Sequence, residues 1–318
     1  MTVLHLTEEH VSQLVDAQDA FDAVQTAFLR LAEGRADNVP RRRAKGAGIV
    51  LHTLSASAEY LQLVGWKAYT TTASGARFHV GLYEQQTGRL VALIEADQLG
   101  RLRTAAASAV AAAHLTTAEA DAVGLFGTGG QAETQLQALA RLRPLRRACV
   151  YGRDPERRRA FCERMERDLK IEVRPVETPR EAVEDLPIVV TATTSRSPVF
   201  EGAWLADNAF VAAMGANALN RAEIDAESVK RASLIVCDSV EACRIEAGDL
   251  HAAEQAGAFA WSEAHDLAQV VAHGPPAKRK PSGPTIFKSV GLAIEDVALA
   301  AVVLERAKAQ RIGLELPI

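Results

Sequence analysis

Near the middle of the chain a short apolar run, residues 123–126, passes directly into Gly127-Thr128-Gly129-Gly130-Gln131-Ala132 and then into a helical pattern. Gly127, Gly129 and Ala132 occupy the three positions of a G-x-G-x-x-A turn, with Thr128, Gly130 and Gln131 between them. The first glycine permits a tight turn, the second lets the main chain approach a ligand, and the small third residue packs helix against strand. The unpaired N–H groups at the start of the helix then face an anion, and a dinucleotide pyrophosphate fits that demand. Downstream, apolar runs at 148–151, 188–192, 210–214 and 234–237 are interspersed with helical stretches at 132–142, 155–169 and 220–231. Strands apolar on both faces and separated by helices predict a parallel sheet covered on both sides. Residues 118–287 therefore read as a Rossmann-type dinucleotide-binding domain.

The run at 148–151 ends in Gly152-Arg153-Asp154. An NAD site ordinarily presents a carboxylate at that strand end to hold both ribose hydroxyls. Here position 152 has no side chain and Arg153 follows at once, which suits the additional phosphate of NADP. Asp154 keeps NAD open, and the pair could instead cap the helix begun at Pro155. The expected cofactor is NADP, with NAD as the alternative.

The front half has another rhythm. Residues 7–34 look helical, with Thr7 as a cap and Gly34 as a stop. The runs 49–54, 61–69, 78–83 and 90–94 are short and rich in strand formers, with Thr87-Gly88 as a hairpin turn. Residues 103–115 form an alanine-rich helix, 274–284 a loop, and 290–307 a strong final helix. Residues 1–117, completed by 288–318, are thus expected to form a mostly antiparallel α+β domain beside the Rossmann-type parallel sheet.

At 318 residues two domains are the default. A net charge of -4 speaks against a nucleic-acid partner, and the basic run Lys278-Arg279-Lys280, set among prolines, reads as a solvated loop. Cys149, Cys162, Cys237 and Cys243 lack metal-ligand spacing, and Cys149 and Cys237 lie in apolar runs as buried thiols. No metal is expected, and no Ser/His/Asp order or P-loop lysine pattern is present. Glu8, Glu9, Asp16 and Asp19 interrupt any leader, and no stretch reaches the roughly 18 apolar residues of a membrane helix. The expectation is a soluble cytoplasmic protein with no membrane partner.

Five segments in order, 65–70 (GWKAYT), 101–108 (RLRTAAAS), 127–132 (GTGGQA), 189–194 (VVTATT) and 287–296 (FKSVGLAIED), together resemble the ornithine cyclodeaminase/mu-crystallin family. The resemblance spans residues 38–315. It implies an N-terminal domain that dimerises and holds a small amino- or imino-acid substrate, with the dinucleotide lying between the domains. It further implies that Arg42 and Lys67 grip the substrate's carboxylate, in a register near Arg41, Arg42 and Arg43 that is open by one residue. An ammonium and a planar guanidinium are a natural clamp for that group. By the same resemblance Val290 lines the substrate site, while Arg103, Thr104, Thr193, Met214, Arg221 and Ser289 contact the cofactor. His79 is a further candidate proton donor, against the alternative of a packing residue.

One departure is informative. Ornithine cyclodeaminases carry an aspartate where this chain has Asn217 and a lysine where it has Arg221. An amide cannot titrate, so Asn217 cannot act as a general base, although it can orient substrate or nicotinamide by hydrogen bonding. Reduction of a protonated imine does not require an acid at that position. The leading expectation is an NAD(P)H-dependent reductase of a small cyclic 2-imino acid, such as Δ1-pyrroline-2-carboxylate, with Lys67 and Asn217 as its catalytic candidates. The alternatives are an alanine-dehydrogenase-like oxidoreductase, a true cyclodeaminase, and a non-catalytic NADPH-dependent ligand-binding protein of the mu-crystallin type.

Overall fold

The structure is a computed structural model that describes residues 2–277 and 280–317. Lys278 and Arg279, and with them most of the basic run, lie outside the described residues. The chain divides into two compact units, residues 1–107 with 291–318, and residues 108–290.

The first unit begins with β1 (Thr2–Leu6), α1 (Glu8–Leu14), α2 (Ala17–Ala32), β2 (Ala36–Gly46), β3 (Ile49–Ala58), β4 (Leu63–Thr72), β5 (Gly75–Glu84) and β6 (Leu90–Glu95). The second contains β7 (Ala122–Phe126), α4 (Gly130–Leu142), β8 (Arg147–Tyr151), α5 (Pro155–Leu169), β9 (Glu172–Pro175), β10 (Ile188–Thr191) and β11 (Phe210–Ala213). It continues through α6 (Ala226–Arg231), β12 (Leu234–Cys237), α7 (Val240–Glu246), α8 (Gly248–Gln255), β13 (Ala264–Asp266), α9 (Leu267–His273) and β14 (Thr285–Lys288). Helix α3 (Asp97–Leu115) runs unbroken through the division at residues 107/108, and α10 (Ala293–Gln310) and β15 (Leu314–Pro317) return to the first unit. The boundaries expected at 117/118 and 287/288 therefore move to 107/108 and 290/291. The first of these falls inside an alanine-rich helix with no turn residue to mark it.

Among the described residues the first unit has a seven-stranded sheet in the order β15-β1-β6-β5-β4-β3-β2. Its strands pair antiparallel except for β1 with β6. Cross-strand partners share a face, so Leu54, Lys67 and Val80 form one row, and His52, Tyr69 and Phe78 the next. This inner face receives α10, whose Val297 meets the bare backbone of Gly65: a Cβ there would stand 2.7 Å from the valine's Cγ2. The outer face is different. Val39, Ile49, Leu51, Val64 and Tyr83, all large apolar residues, are exposed on it. The helical stretch expected at 7–34 is broken where Asp16 caps α2 by accepting from Gln18 and Asp19 N–H, while Thr7 caps α1.

Among the described residues the second unit has an eight-stranded sheet ordered β13-β12-β14-β11-β10-β7-β8-β9, every pairing parallel. The chain moves outward from β7 through β8 and β9, then returns to lay β10 on the other side of β7. That reversal makes the carboxyl ends of β7 and β10 the switch point at which open parallel sheets receive ligands. The helix expected at 220–231 is confined to α6, where Asp225 supplies the cap by accepting from Ser228 N–H.

Candidate active site

At the switch point Gly127 has φ +115°, a conformation that an L side chain rarely adopts, and a Cβ there would stand 2.5 Å from the Ala192 carbonyl oxygen. Ala132 is fully buried beneath the turn. Gly129 is the N-cap of α4 and offers no side-chain cap, and the space that its Cβ would fill is open. An uncapped helix start beside open space fits a pyrophosphate. Gly130 and Gln131 form the first turn, and Thr128 packs toward Gly152, where a Cβ would meet its Cγ2 at 2.9 Å. At the end of β8 Arg153 is exposed. Asp154 is occupied as the N-cap of α5, accepting from Glu156 and Arg157 N–H at 3.1 Å each. Buried Arg158 donates to the Gly152 carbonyl at 2.9 Å and to Glu177 at 2.6 Å.

At the neighbouring strand ends Thr193 gives its N–H and hydroxyl to Glu223 at 2.6 and 2.7 Å. Met214 is buried, with its N–H donating to Thr191 O, and Asn217 and Arg221 are half-buried in the loop that follows β11. After β14 the Ser289 hydroxyl and the Val290 N–H both donate to Asp238 Oδ2, at 2.9 and 2.7 Å.

The first unit holds a buried charge cluster. Lys67 Nζ donates to Asp296 Oδ1 at 2.7 Å, Arg103 Nε to the same oxygen at 3.0 Å, and Arg103 Nη1 to Glu295 Oε2 at 2.7 Å. Arg41 Nη2 donates to the Gly291 carbonyl at 3.4 Å. Burial pulls the Lys67 ammonium down to about 8, with Asp296 opposing and Arg103 and Arg41 adding to the fall. Arg103 is pushed upward, because Asp296 and Glu295 outweigh its burial. Beneath the cations lies a row of rings: His52 stacks on Tyr69 at 4.2 Å and Tyr69 on Phe78 at 4.9 Å. Arg41 lies over Tyr69 and Lys67 over Phe78, at 5.9 and 5.4 Å. Burial, then Arg43 and Arg41, pull the His52 imidazole down to about 4.

Three of the residues singled out in the sequence lie elsewhere than the resemblance or the strand pattern suggests. Arg42 is exposed, and Arg41 takes the buried place expected of it. The register of β2 on β3 shifts between Val39 and Arg42, so that three steps along β2 match two along β3. Pro40 and Arg41 consequently both turn inward, a bulge that plain alternation from Val39 would miss. His79 pairs with Ala68 and Glu95, on the sheet face opposite Lys67. Arg103, expected at the cofactor phosphates, is engaged by Glu295 and Asp296, and Thr104, one residue on, donates to the Gly100 carbonyl at 2.6 Å. Asp296, Glu295, Asp238 and Glu223 went unread in the sequence. For the first two there is a signal, adjacent acids in the first turn of an otherwise apolar helix.

The glycine cradle at the switch point of a parallel sheet is that of an NAD(P)-dependent oxidoreductase. The family pattern of ornithine cyclodeaminase/mu-crystallin matches residues 2–311, and the chain belongs to that family. It is similar to the solved Δ1-pyrroline-2-carboxylate reductase of Thermococcus litoralis in complex with NADH and L-proline, at 30% identity and TM-score 0.94, covering 99% of this chain and 100% of that one. An archaeal alanine dehydrogenase dimer with bound NAD superposes with TM-score 0.93 at 28% identity, over the whole of both chains. A Δ1-pyrroline-2-carboxylate reductase of Bacillus cereus (strain ZK / E33L) is 30% identical over 264 residues, 80% of this chain and 81% of that protein.

Proposed function

We propose that this chain is an NADPH-dependent reductase of a small cyclic 2-imino acid, with Δ1-pyrroline-2-carboxylate as substrate and proline as product. The observation that carries this reading is the buried cluster of the first unit. Arg41, Lys67 and Arg103 converge with Glu295 and Asp296 in an enclosed place, with Arg41 and Lys67 lying over one row of rings. A guanidinium and an ammonium side by side suit the carboxylate of a small acid. The rings of Tyr69 and Phe78, directly below the cations, suit the apolar edge of a small ring. The Thermococcus relative that holds proline and NADH supports the choice of substrate.

The cofactor, when bound, supplies the hydride. This chain's residues orient and charge-balance the substrate. Arg41 and Lys67 fix its carboxylate, which sets the position of the imine carbon bonded to it, and such positioning is a large part of rate enhancement. Asp296 keeps the Lys67 ammonium aimed at the substrate and Arg103 locks Asp296 in place. Lys67, with its proton affinity brought close to neutral, is able to exchange a proton with the product amine. Asn217 hydrogen-bonds without titrating. NADPH is favoured over NADH because Asp154 is occupied as a helix cap and Arg153 stands exposed beside it. The exposed apolar outer face of the first sheet is the surface through which two copies pair, as a homodimer.

The test is spectrophotometric. The protein is expected to consume NADPH with Δ1-pyrroline-2-carboxylate; consumption only with pyruvate plus ammonia, or none, would overturn the assignment. Arg41→Ala is expected to lower kcat/KM at least 100-fold and Arg42→Ala less than threefold; the reverse order would restore the Arg42 clamp. Tenfold tighter binding of NADH than of NADPH would overturn the cofactor preference.

A further inference from the structure

The second unit buries a carboxylate that the chemistry above does not use. Glu223 is completely enclosed, and four donors converge on it. Oε1 accepts from Thr193 N–H at 2.6 Å and Thr193 Oγ1 at 2.7 Å; Oε2 accepts from Thr191 Oγ1 at 2.9 Å and Gly215 N–H at 2.6 Å. These donors come from the carboxyl end of β10 and from the loop that follows β11. The same glutamate is itself pinned: its N–H and that of Ile224 donate to Asp249 Oδ1, and Asp249 pairs with the enclosed ammonium of Lys288 at the end of β14. One side chain thus ties together the ends of two adjacent strands and, through Asp249 and Lys288, of a third. Gly215 shows how closely the loops approach, since a Cβ there would stand 2.2 Å from the Thr193 carbonyl oxygen.

A buried carboxylate is costly, and joining two strand ends would not by itself require one. Two of its four donors are backbone N–H groups, which only donate, so a group that only accepts is the one that satisfies all of them. The strand ends that it ties border the Gly127 turn, whose Cβ position abuts Ala192 between Thr191 and Thr193.

We propose that Glu223 is a positioning residue that holds the ends of β10 and β11 in the conformation receiving the nicotinamide end of the dinucleotide. This rests on the proposed function and takes the cofactor contacts expected of Thr193 and Met214, beside Asn217, to be with the nicotinamide half. Glu223 and Thr191 are both fully enclosed, so they act through these loops and not by touching a ligand. The adenosine end, seated at the end of β8, lies across β7 from these loops.

That division gives the experiment. Affinities of the full-length protein for NADH and NADPH are compared with those for their adenine-side halves, ADP-ribose and its 2′-phosphate, in wild type, Glu223→Gln and Thr191→Val. Wild type is expected to bind the complete dinucleotide more tightly than its half. Glu223→Gln should weaken the dinucleotide at least tenfold and the half less than twofold; Thr191→Val, which removes one donor from an enclosed site, should weaken the dinucleotide about threefold and leave the half unchanged. Equal loss for both ligands, or loss for neither, would overturn the role of Glu223. If Glu223→Gln fails to fold, Thr191→Val decides on the same two outcomes. A wild type that does not distinguish dinucleotide from half would instead overturn the nicotinamide reading and the inference with it.

Discussion

Lys67 carries its charge where charge is least comfortable, and its neighbours only partly offset the loss of water. Its ammonium is brought down to about 8 by burial, with Asp296 as the opposing influence. Below that pH the side chain is an ammonium and clamps a carboxylate; above it the neutral amine does not. The kcat/KM for the imino acid is therefore expected to fall as pH rises through about 8, since this parameter reports ionisations of the free enzyme. In Lys67→Arg that limb should vanish, with kcat reduced, because a guanidinium stays charged. A wild-type profile flat to pH 10 would remove Lys67 from the clamp. Lys67 is singled out in the sequence by the resemblance carried in GWKAYT. Arg41 is not, because one inserted residue reverses the inward and outward assignment that its neighbours suggest. Glu223 is less legible still: a glutamate within a loop has no periodicity to betray that four donors will meet on it.

At the scale of elements, the sequence is easiest to read where apolar runs are dense. Strands β7, β8, β10, β11 and β12 announce themselves, since both of their faces are buried. Strand β2, with Arg41, Arg42, Arg43 and Lys45, does not: its charge hides a strand in which only Pro40 and Arg41 are buried. Strand β14 is hidden by the proline-rich segment before it, and β1 and β15 by their partial exposure, which leaves them without a dense apolar run. Helix α10 reaches β4 only because residue 65 lacks a side chain. Gly65→Ala would place its Cβ 2.7 Å from Val297 and 2.9 Å from the Gly81 carbonyl oxygen. Overpacking of this kind costs about 1–3 kcal/mol, so a lower denaturation midpoint with an unchanged slope is expected in urea. Full retention of stability would mean that the helix is not held against the sheet there.

For the whole molecule, the unanswered surface is the outer face of the first sheet. Val39, Ile49, Leu51, Val64 and Tyr83 project from one side of β2 to β5 and are each at least 36% exposed. Several large apolar side chains left exposed on one sheet face are ordinarily covered by a partner. Leu51→Asp together with Val64→Asp is expected to convert a dimer to monomer in sedimentation, while dinucleotide binding, proposed above for the second unit, stays within a factor of about two. A wild type that sediments as monomer would reject the pairing. No helix among the described residues is long and apolar enough to cross a membrane. The two-unit division is legible from the change of rhythm along the chain, but its position is not, because α3 carries one unbroken pattern through it.

The bulge at Pro40 and Arg41 has a consequence for how this strand tolerates editing. Elsewhere in β2, loss of one residue would exchange the two faces from that point to the strand's end and leave apolar residues and arginines on the wrong sides. At the bulge the strand already holds one residue more than its neighbour opposes. Deleting Pro40 would restore a regular ladder with Val39 still outward and Arg41 still inward, so the irregularity is also a point where the gene is free to shorten without scrambling the charge clamp.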